Sequence, residues 1–229
     1  MSDENFDKNS RLGDGSSASS ASGSSGGSGS GRKRRMTREE AKAQTRQALL
    51  EAAAEVFAAN GFHGASIDAV AEAAGYTKGA VYAHFRSKED LFLALLDQHL
   101  AGEPLPWISR LEQGESIESM SEMIEERVSE VFAGYRNWSA LTLEFILHAV
   151  RNEEVMEKLV VRMNQAREEY VVSLKKHYAA AGTEPPGDLR TLATAFMALE
   201  NGLSIQALVQ PETIEGGVYT ETLKRLLGS

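Results

Sequence analysis

The sequence predicts an all-α protein of about nine helices, in which an N-terminal three-helix unit precedes a larger helical body. Three observations carry this prediction. Apolar residues recur at three- and four-residue spacing from Thr37 almost to the C-terminus. No strand-like alternation of useful length interrupts that pattern, and no internal repeat is visible. Only five prolines occur in 229 residues, which leaves long stretches free for helices. The expected divisions are a tail over 1–35, a helical head over 36–85 and a helical body over 86–229, with residues 87–100 as the link.

The tail comes first. Gly15 to Gly31 consists of nine Ser, six Gly and two Ala, a composition that has nothing apolar to bury and reads as a flexible spacer. It ends in the basic run Arg32-Lys33-Arg34-Arg35. A secretory signal would need a basic end and an apolar run, and the acidic, then Ser/Gly-rich, N-terminus has neither. Thr37 and Glu40 have capping-box spacing and start the first helix. That helix buries Ala48, Leu49, Ala52, Ala53, Val56 and Phe57, and Asn60-Gly61 reads as its left-handed C-cap. Ser66 caps a second helix that buries Ile67, Val70, Ala71 and Ala74 and ends at Gly75. Thr77 caps a third, Lys78 to Phe85, and Ser87 a fourth, with Glu89 and Asp90 in its first turn. Gly102 to Pro106 breaks the chain. Helices are then expected near 117–133, 138–151, 153–181, 187–209 and 217–227, with Pro185-Pro186-Gly187 and Pro211 as breaks.

Composition excludes several chemistries. The chain has no cysteine, so disulfides, thiolate metal sites and a cysteine nucleophile are out. No stretch approaches the ~18 consecutive apolar residues of a membrane span. Histidines 63, 84, 99, 148 and 177 include no i, i+4 pair and suggest no metal. No Ser/His/Asp order or phosphate-cradling Gly-rich loop points to catalysis, and no cofactor is expected. The net charge of −9 argues on its face against a polyanionic partner, but it is unevenly spread: +2 over residues 1–35, −3 over 36–100 and −8 over 101–229. The window Arg32 to Arg46 is locally +5.

Helices two and three, joined through Ala74-Gly75-Tyr76-Thr77, have the layout of a helix-turn-helix. Gly75 can take a positive φ without steric cost, so the third helix can cross the second steeply. Ile67, Val70, Ala71, Val81 and Phe85 then close a small core with Val56 and Phe57. The outer face is left with Thr77, Lys78, Gly79, Tyr82 and His84. These offer hydroxyls, a charge and a close backbone approach, which suit phosphates and base edges in a major groove.

The string Thr77-Lys-Gly-x-x-Tyr82-x-His84-Phe85-x-Ser87-Lys88-Glu89, within a match from Arg46 to Leu96, resembles the TetR family of bacterial transcriptional regulators. Beyond Gln98 the resemblance is one of layout. It implies a DNA-binding head followed by a helical domain that dimerises and binds a ligand, in a cytoplasmic, non-enzymatic protein. Carried over by position, the implied DNA contacts are Arg46, Ser66, Tyr76, Thr77, Lys78, Gly79, Tyr82, His84 and Lys88, with Ser66 and Lys88 holding phosphates. Ala80 offers only a methyl, suited to a thymine methyl. Tyr76 stands where the family often has a smaller apolar residue. Arg32–Arg35 could reach phosphates or a minor groove as a basic arm does. Expected partners are a double-stranded operator, a second copy of the chain and a small apolar or amphipathic ligand, with no membrane. An activator, or a DNA-bound protein whose body recruits another protein, is the alternative; a sealed helical core would favour the latter.

In the body, Trp107, Trp138, Phe145, His148, Met163 and Asn201 are the candidate ligand-binding residues. They are aromatic or Met residues suited to adaptable pockets, or polar residues in apolar helices. The stretch around Leu192–Ile205 is apolar on more than one face, so it needs both its own core and a partner. Leu192, Ala195, Phe196, Leu199, Leu203 and Leu223 are therefore expected at a dimer interface.

Overall fold

The structure, a computed structural model, describes residues 36–100, 105–210 and 214–228. The tail with its basic run, Gly102 to Pro104 of the first break, and Pro211 lie outside the described residues. Ten helices and no strand occur among the described residues: α1 Arg38–Gly64, α2 Ile67–Ala73, α3 Lys78–Tyr82, α4 Lys88–Leu100, α5 Ile108–Glu112, α6 Ile117–Gly134, α7 Arg136–Ala149, α8 Glu153–Ala181, α9 Leu189–Val209 and α10 Gly216–Leu227. The helix beyond the nine expected is α5. It is a single turn between Pro106 and Gly114, too short for a 3.6-residue period to show in the sequence.

The head forms as its caps dictate. Thr37 and Glu40 make the reciprocal capping box, with Thr37 N–H donating to Glu40 Oε2 at 2.7 Å and Glu40 N–H to Thr37 Oγ1 at 3.1 Å. Ser66, Thr77 and Ser87 each accept from a backbone N–H three residues on, at 3.1, 3.2 and 3.1 Å. Gly75 has φ +71° and turns the chain between α2 and α3. Gly61 departs from the expected cap. Its φ of 70° is positive, but its ψ of 172° is extended, a combination open essentially to glycine alone. The helix is therefore broken rather than ended, and one further turn follows. The break swings Phe62 inward, where it is fully buried, and its N–H donates to Glu144 Oε2 of α7 at 2.8 Å.

Two apolar cores result. The first joins α1–α4, including Phe57, Phe62, Val81, Phe85 and Leu91 to Leu96, to Leu141, Phe145 and Ala149 of α7 and Leu159 of α8. The head thus shares its core with the body, and α4 runs through the middle of it. The second core gathers Trp107, Ile108 and Leu111 with one face each of α6, α8, α9 and α10. Phe196, Leu203 and Leu223, expected at a dimer interface, lie in this second core at 3%, 9% and 0% exposure, and so are spent within the protomer. Leu192, Ala195 and Leu199 are half-buried. The correction has a simple cause: periodicity shows that α9 is apolar on two faces but not which face turns inward. The outward face carries Thr194, Ala198, Asn201, Ile205 and Val209.

Candidate nucleic-acid interface and internal cavity

The third helix rests on Val81 and Phe85, which are buried at 0% and 4% exposure. That seating leaves Thr77, Lys78, Gly79 and Tyr82 exposed on one side, with Tyr76 beside them. Tyr82 is 48% and Tyr76 38% exposed, so neither ring is part of the core. Ser66 and Thr77 accept capping bonds through oxygen, and each hydroxyl keeps its own proton to donate. Lys78 Nζ pairs with Asp68 Oδ2 at 2.9 Å on an exposed surface. That hydrogen bond and charge hold the ammonium above its ordinary range. A Cβ built at Gly79 would meet only Thr77 Oγ1, at 3.8 Å. Nothing inside the chain requires a glycine there.

Two expected contacts look different in place. The recognition helix ends at Tyr82, so His84 sits in the following turn and is half-buried. Desolvation, then the charges of Lys42 and Arg46, push its imidazole below the usual range, which keeps it neutral at pH 7. Lys42 was not singled out in the sequence. Its signal was its place four residues before Arg46 on one face of α1. Arg46 itself lies over the Phe85 ring, 5.2 Å from the centroid.

Lys88 does not project outward. Its Nζ donates to the carbonyls of Phe62, His63 and Ala65 at 2.8, 3.3 and 3.1 Å and sits 4.6 Å from the centroid of the Phe62 ring. Three acceptors use all three protons of an ammonium, so Lys88 clasps the broken end of α1 to the start of α4. We expect Lys88→Met to cost about 1.5–3 kcal/mol of stability, because hydrogen bonds from a charged group are lost. Urea unfolding checks this. Unchanged stability with a shallower salt dependence of DNA binding would restore the phosphate role.

In the body, a cavity of about 360 Å³ lies between α4, α6, α7, α8 and α9. That is within the range of small-molecule sites. Trp138, Met163 and Asn201 of the sequence-stated candidates line it. The other three do not. Trp107 is fully buried in the second core beside Tyr219, and Phe145 stacks on Phe92 at 4.5 Å in the first core. His148 faces the head: its Nε2 is 3.2 Å from Glu89 Oε1 and its ring 4.9 Å from that of Phe62. Cavity residues missed in the sequence include His99, Thr142, Tyr170 and Glu200. Glu200 did leave a signal, as the one carboxylate inside the apolar run from Leu192 to Ile205.

A helix-turn-helix with an exposed polar reading face, joined to an all-helical body that holds a cavity, defines a DNA-binding regulator class. The comparisons agree. Residues 49–95 match the family model described as bacterial regulatory proteins, tetR family, and residues 117–229 match the C-terminal model described as BetI-type transcriptional repressor. The chain is similar to the HTH-type transcriptional regulator SrpR of Pseudomonas putida, 30% identical over 191 residues covering 76% of this chain and 79% of that one. It is similar also to UidR of Escherichia coli K12, 28% identical over 195 residues covering 84% and 96%. The solved structure of Salmonella enterica GusR shares the fold, with a TM-score of 0.58 and 24% identity over 81% of this chain and 96% of that one. The chain belongs to the TetR family. It is a helix-turn-helix DNA-binding transcriptional regulator and not an enzyme.

Proposed function

We propose that this chain is a homodimeric repressor, acting in the cytoplasm, that leaves a pseudo-palindromic operator when a small molecule enters the cavity. The observation that carries the reading is the position of α4. At its first turn Lys88 clasps α1, and in its last turn Leu96 and His99 wall the cavity. Along its length Glu89, Asp90 and Asp97 face His148, Lys158 and Arg162 of the body, at 3.2, 3.0 and 2.8 Å. A run of ring contacts follows the same route: Phe62 to Phe92 at 5.4 Å, Phe92 to Trp138 at 5.9 Å and Trp138 to His99 at 4.1 Å. A ligand that displaces Trp138 or His99 shifts α4, and with it the head. Such a ligand releases DNA if it binds the displaced state better, a coupling of typically about 1–3 kcal/mol.

Support for the dimer comes from α9. It is long and apolar enough by composition to cross a membrane, at a mean hydropathy of 1.3, yet only 17% of that stretch is buried. Its outward residues Thr194, Ala198, Ile205 and Val209 are uncharged, and the exposed Val161 and Val172 lie on its neighbour α8. Two α8–α9 pairs facing one another bury this surface and set two recognition helices in successive turns of the major groove. Reading then falls to Thr77, Lys78 and Tyr82, with Tyr76, Ser66, Arg46 and His84 around them. A sealed helical core would favour a protein-recruiting body, and the cavity instead supports the small-molecule reading.

Selection of bound duplexes from a random library, followed by mapping of genomic sites and transcript levels in a deletion strain, tests the reading. Raised transcription of the bound genes is expected; lowered transcription makes the protein an activator. Gly79→Ala gives a finer test. Alanine should hold or raise helix stability by up to about 1 kcal/mol, while the added methyl blocks close approach of the DNA backbone. Operator affinity should fall in a fully folded dimer. Unaltered affinity by anisotropy would place the DNA backbone away from Gly79.

A further inference from the structure

We infer that the cavity takes an amphipathic cation, with the Glu200 carboxylate as its counter-charge and the rings of Phe132, Tyr135, Trp138 and Tyr170 as its walls. The inference rests on the reading of this cavity as the regulator's ligand site. Glu200 lines the cavity, and its oxygens accept from two phenols: Oε2 from Tyr170 of α8 and Oε1 from Tyr219 of α10, the latter at 3.4 Å. A carboxylate has about four acceptor positions, so two hydroxyls leave it incompletely satisfied. No lysine or arginine stands among the described lining residues. The one basic side chain there is His99, and burial lowers its pKa to about 4, so it brings no positive charge at pH 7.

A buried carboxylate without a cation is costly. The cost shows in Glu200, which burial pushes up to about 7 even though both phenols favour its ionised form. A cation in the cavity supplies the partner that the chain withholds. The walls suit the same guest, since a cation is drawn to the face of an aromatic ring, and to Trp most of all. Thr142 adds an independent sign: it lines the cavity, and its buried Oγ1 has no hydrogen-bond partner among the described residues. A small rotation of its side chain would offer that hydroxyl to a polar group on the guest. An anion would be repelled by Glu200, and a neutral hydrocarbon would leave both Glu200 and Thr142 unanswered.

The test uses two ions of matched size and shape, tetraphenylphosphonium and tetraphenylborate, titrated into the full-length protein and followed by tryptophan fluorescence and calorimetry. The cation should bind wild type at least about tenfold more tightly than the anion, as expected for a charge pair out of water. Glu200→Gln keeps the shape and one phenol bond, to its amide oxygen, but removes the charge, and should lose about tenfold or more in cation affinity, for the same reason. The groups against Glu200 are the phenols of Tyr170 and Tyr219, both raised above their ordinary range by burial, and the cavity's His99 is lowered to about 4. Cation binding lowers the Glu200 pKa, so affinity should be greatest above pH 7 and fall by up to about tenfold per unit below it. The Gln variant should show no such slope. Failure of the cation to bind wild type, equal binding of the two ions, or Gln-variant affinity and pH slope matching wild type would each overturn the inference. The operator complex is read separately. A cation that binds through Glu200 yet leaves that complex intact would sink the ligand-release reading and leave the cation site standing.

Discussion

Replacing Phe92 with alanine is expected to cost about 3–5 kcal/mol of folding stability, the range for deleting a fully buried ring. Phe92 has no exposed surface. Its ring lies 5.3 Å from Phe57, 5.4 Å from Phe62, 4.5 Å from Phe145 and 5.9 Å from Trp138. These neighbours come from α1 and α7 and are held by their own helices, so they cannot collapse into the space. The cost should appear as a lower urea midpoint at fixed protomer concentration, because dimerisation would otherwise shift the apparent stability. Phe92→Leu should recover part of the loss by refilling volume. A cost below about 1.5 kcal/mol for the alanine variant would mean that the first core repacks freely. It would also undercut α4 as a stiff connection between head and cavity.

The second large effect is on DNA. Lys78→Ala and Tyr82→Ala should each weaken operator binding by about 1–3 kcal/mol, and together by more than about a hundredfold. Both side chains are exposed, so circular dichroism, melting temperature and dimerisation should not change. If Lys78 exchanges Asp68 for a phosphate on binding, its removal should also reduce the salt slope by about one unit. Normal operator binding by both folded variants would remove the reading face from α3.

The head was readable because its code is local. A hydroxyl three residues before the N–H it caps, a glycine at a positive φ and buried residues at three- and four-residue spacing are all short-range relations. Thr37, Ser66, Thr77, Ser87 and Gly75 each do in the structure what their neighbours in sequence imply. The errors arose where a local signal had two meanings. Lys88 follows a cap serine, as a phosphate-binding lysine would, but the helix break at Gly61 brings three carbonyls within its reach. His148 is polar in an apolar helix, as a ligand-orienting residue would be, but its partner is Glu89 in the first turn of α4.

The sequence by itself determined an all-helical chain, the order of its elements, the helix-turn-helix and the side of α3 that faces outward. Periodicity and capping operate within one or two helical turns, so the chain order contains them. Only the tertiary structure decided which face of α9 is spent on the protomer core, and that α4 belongs to both head and cavity. It also brought Glu200, Tyr170, Tyr219 and Thr142 from four separate helices to one buried region. Those residues lie up to 77 positions apart in the chain. What makes Glu200 consequential is its desolvation and the lack of a lysine or arginine among the described cavity-lining residues, and both are set by helices that the local sequence does not name.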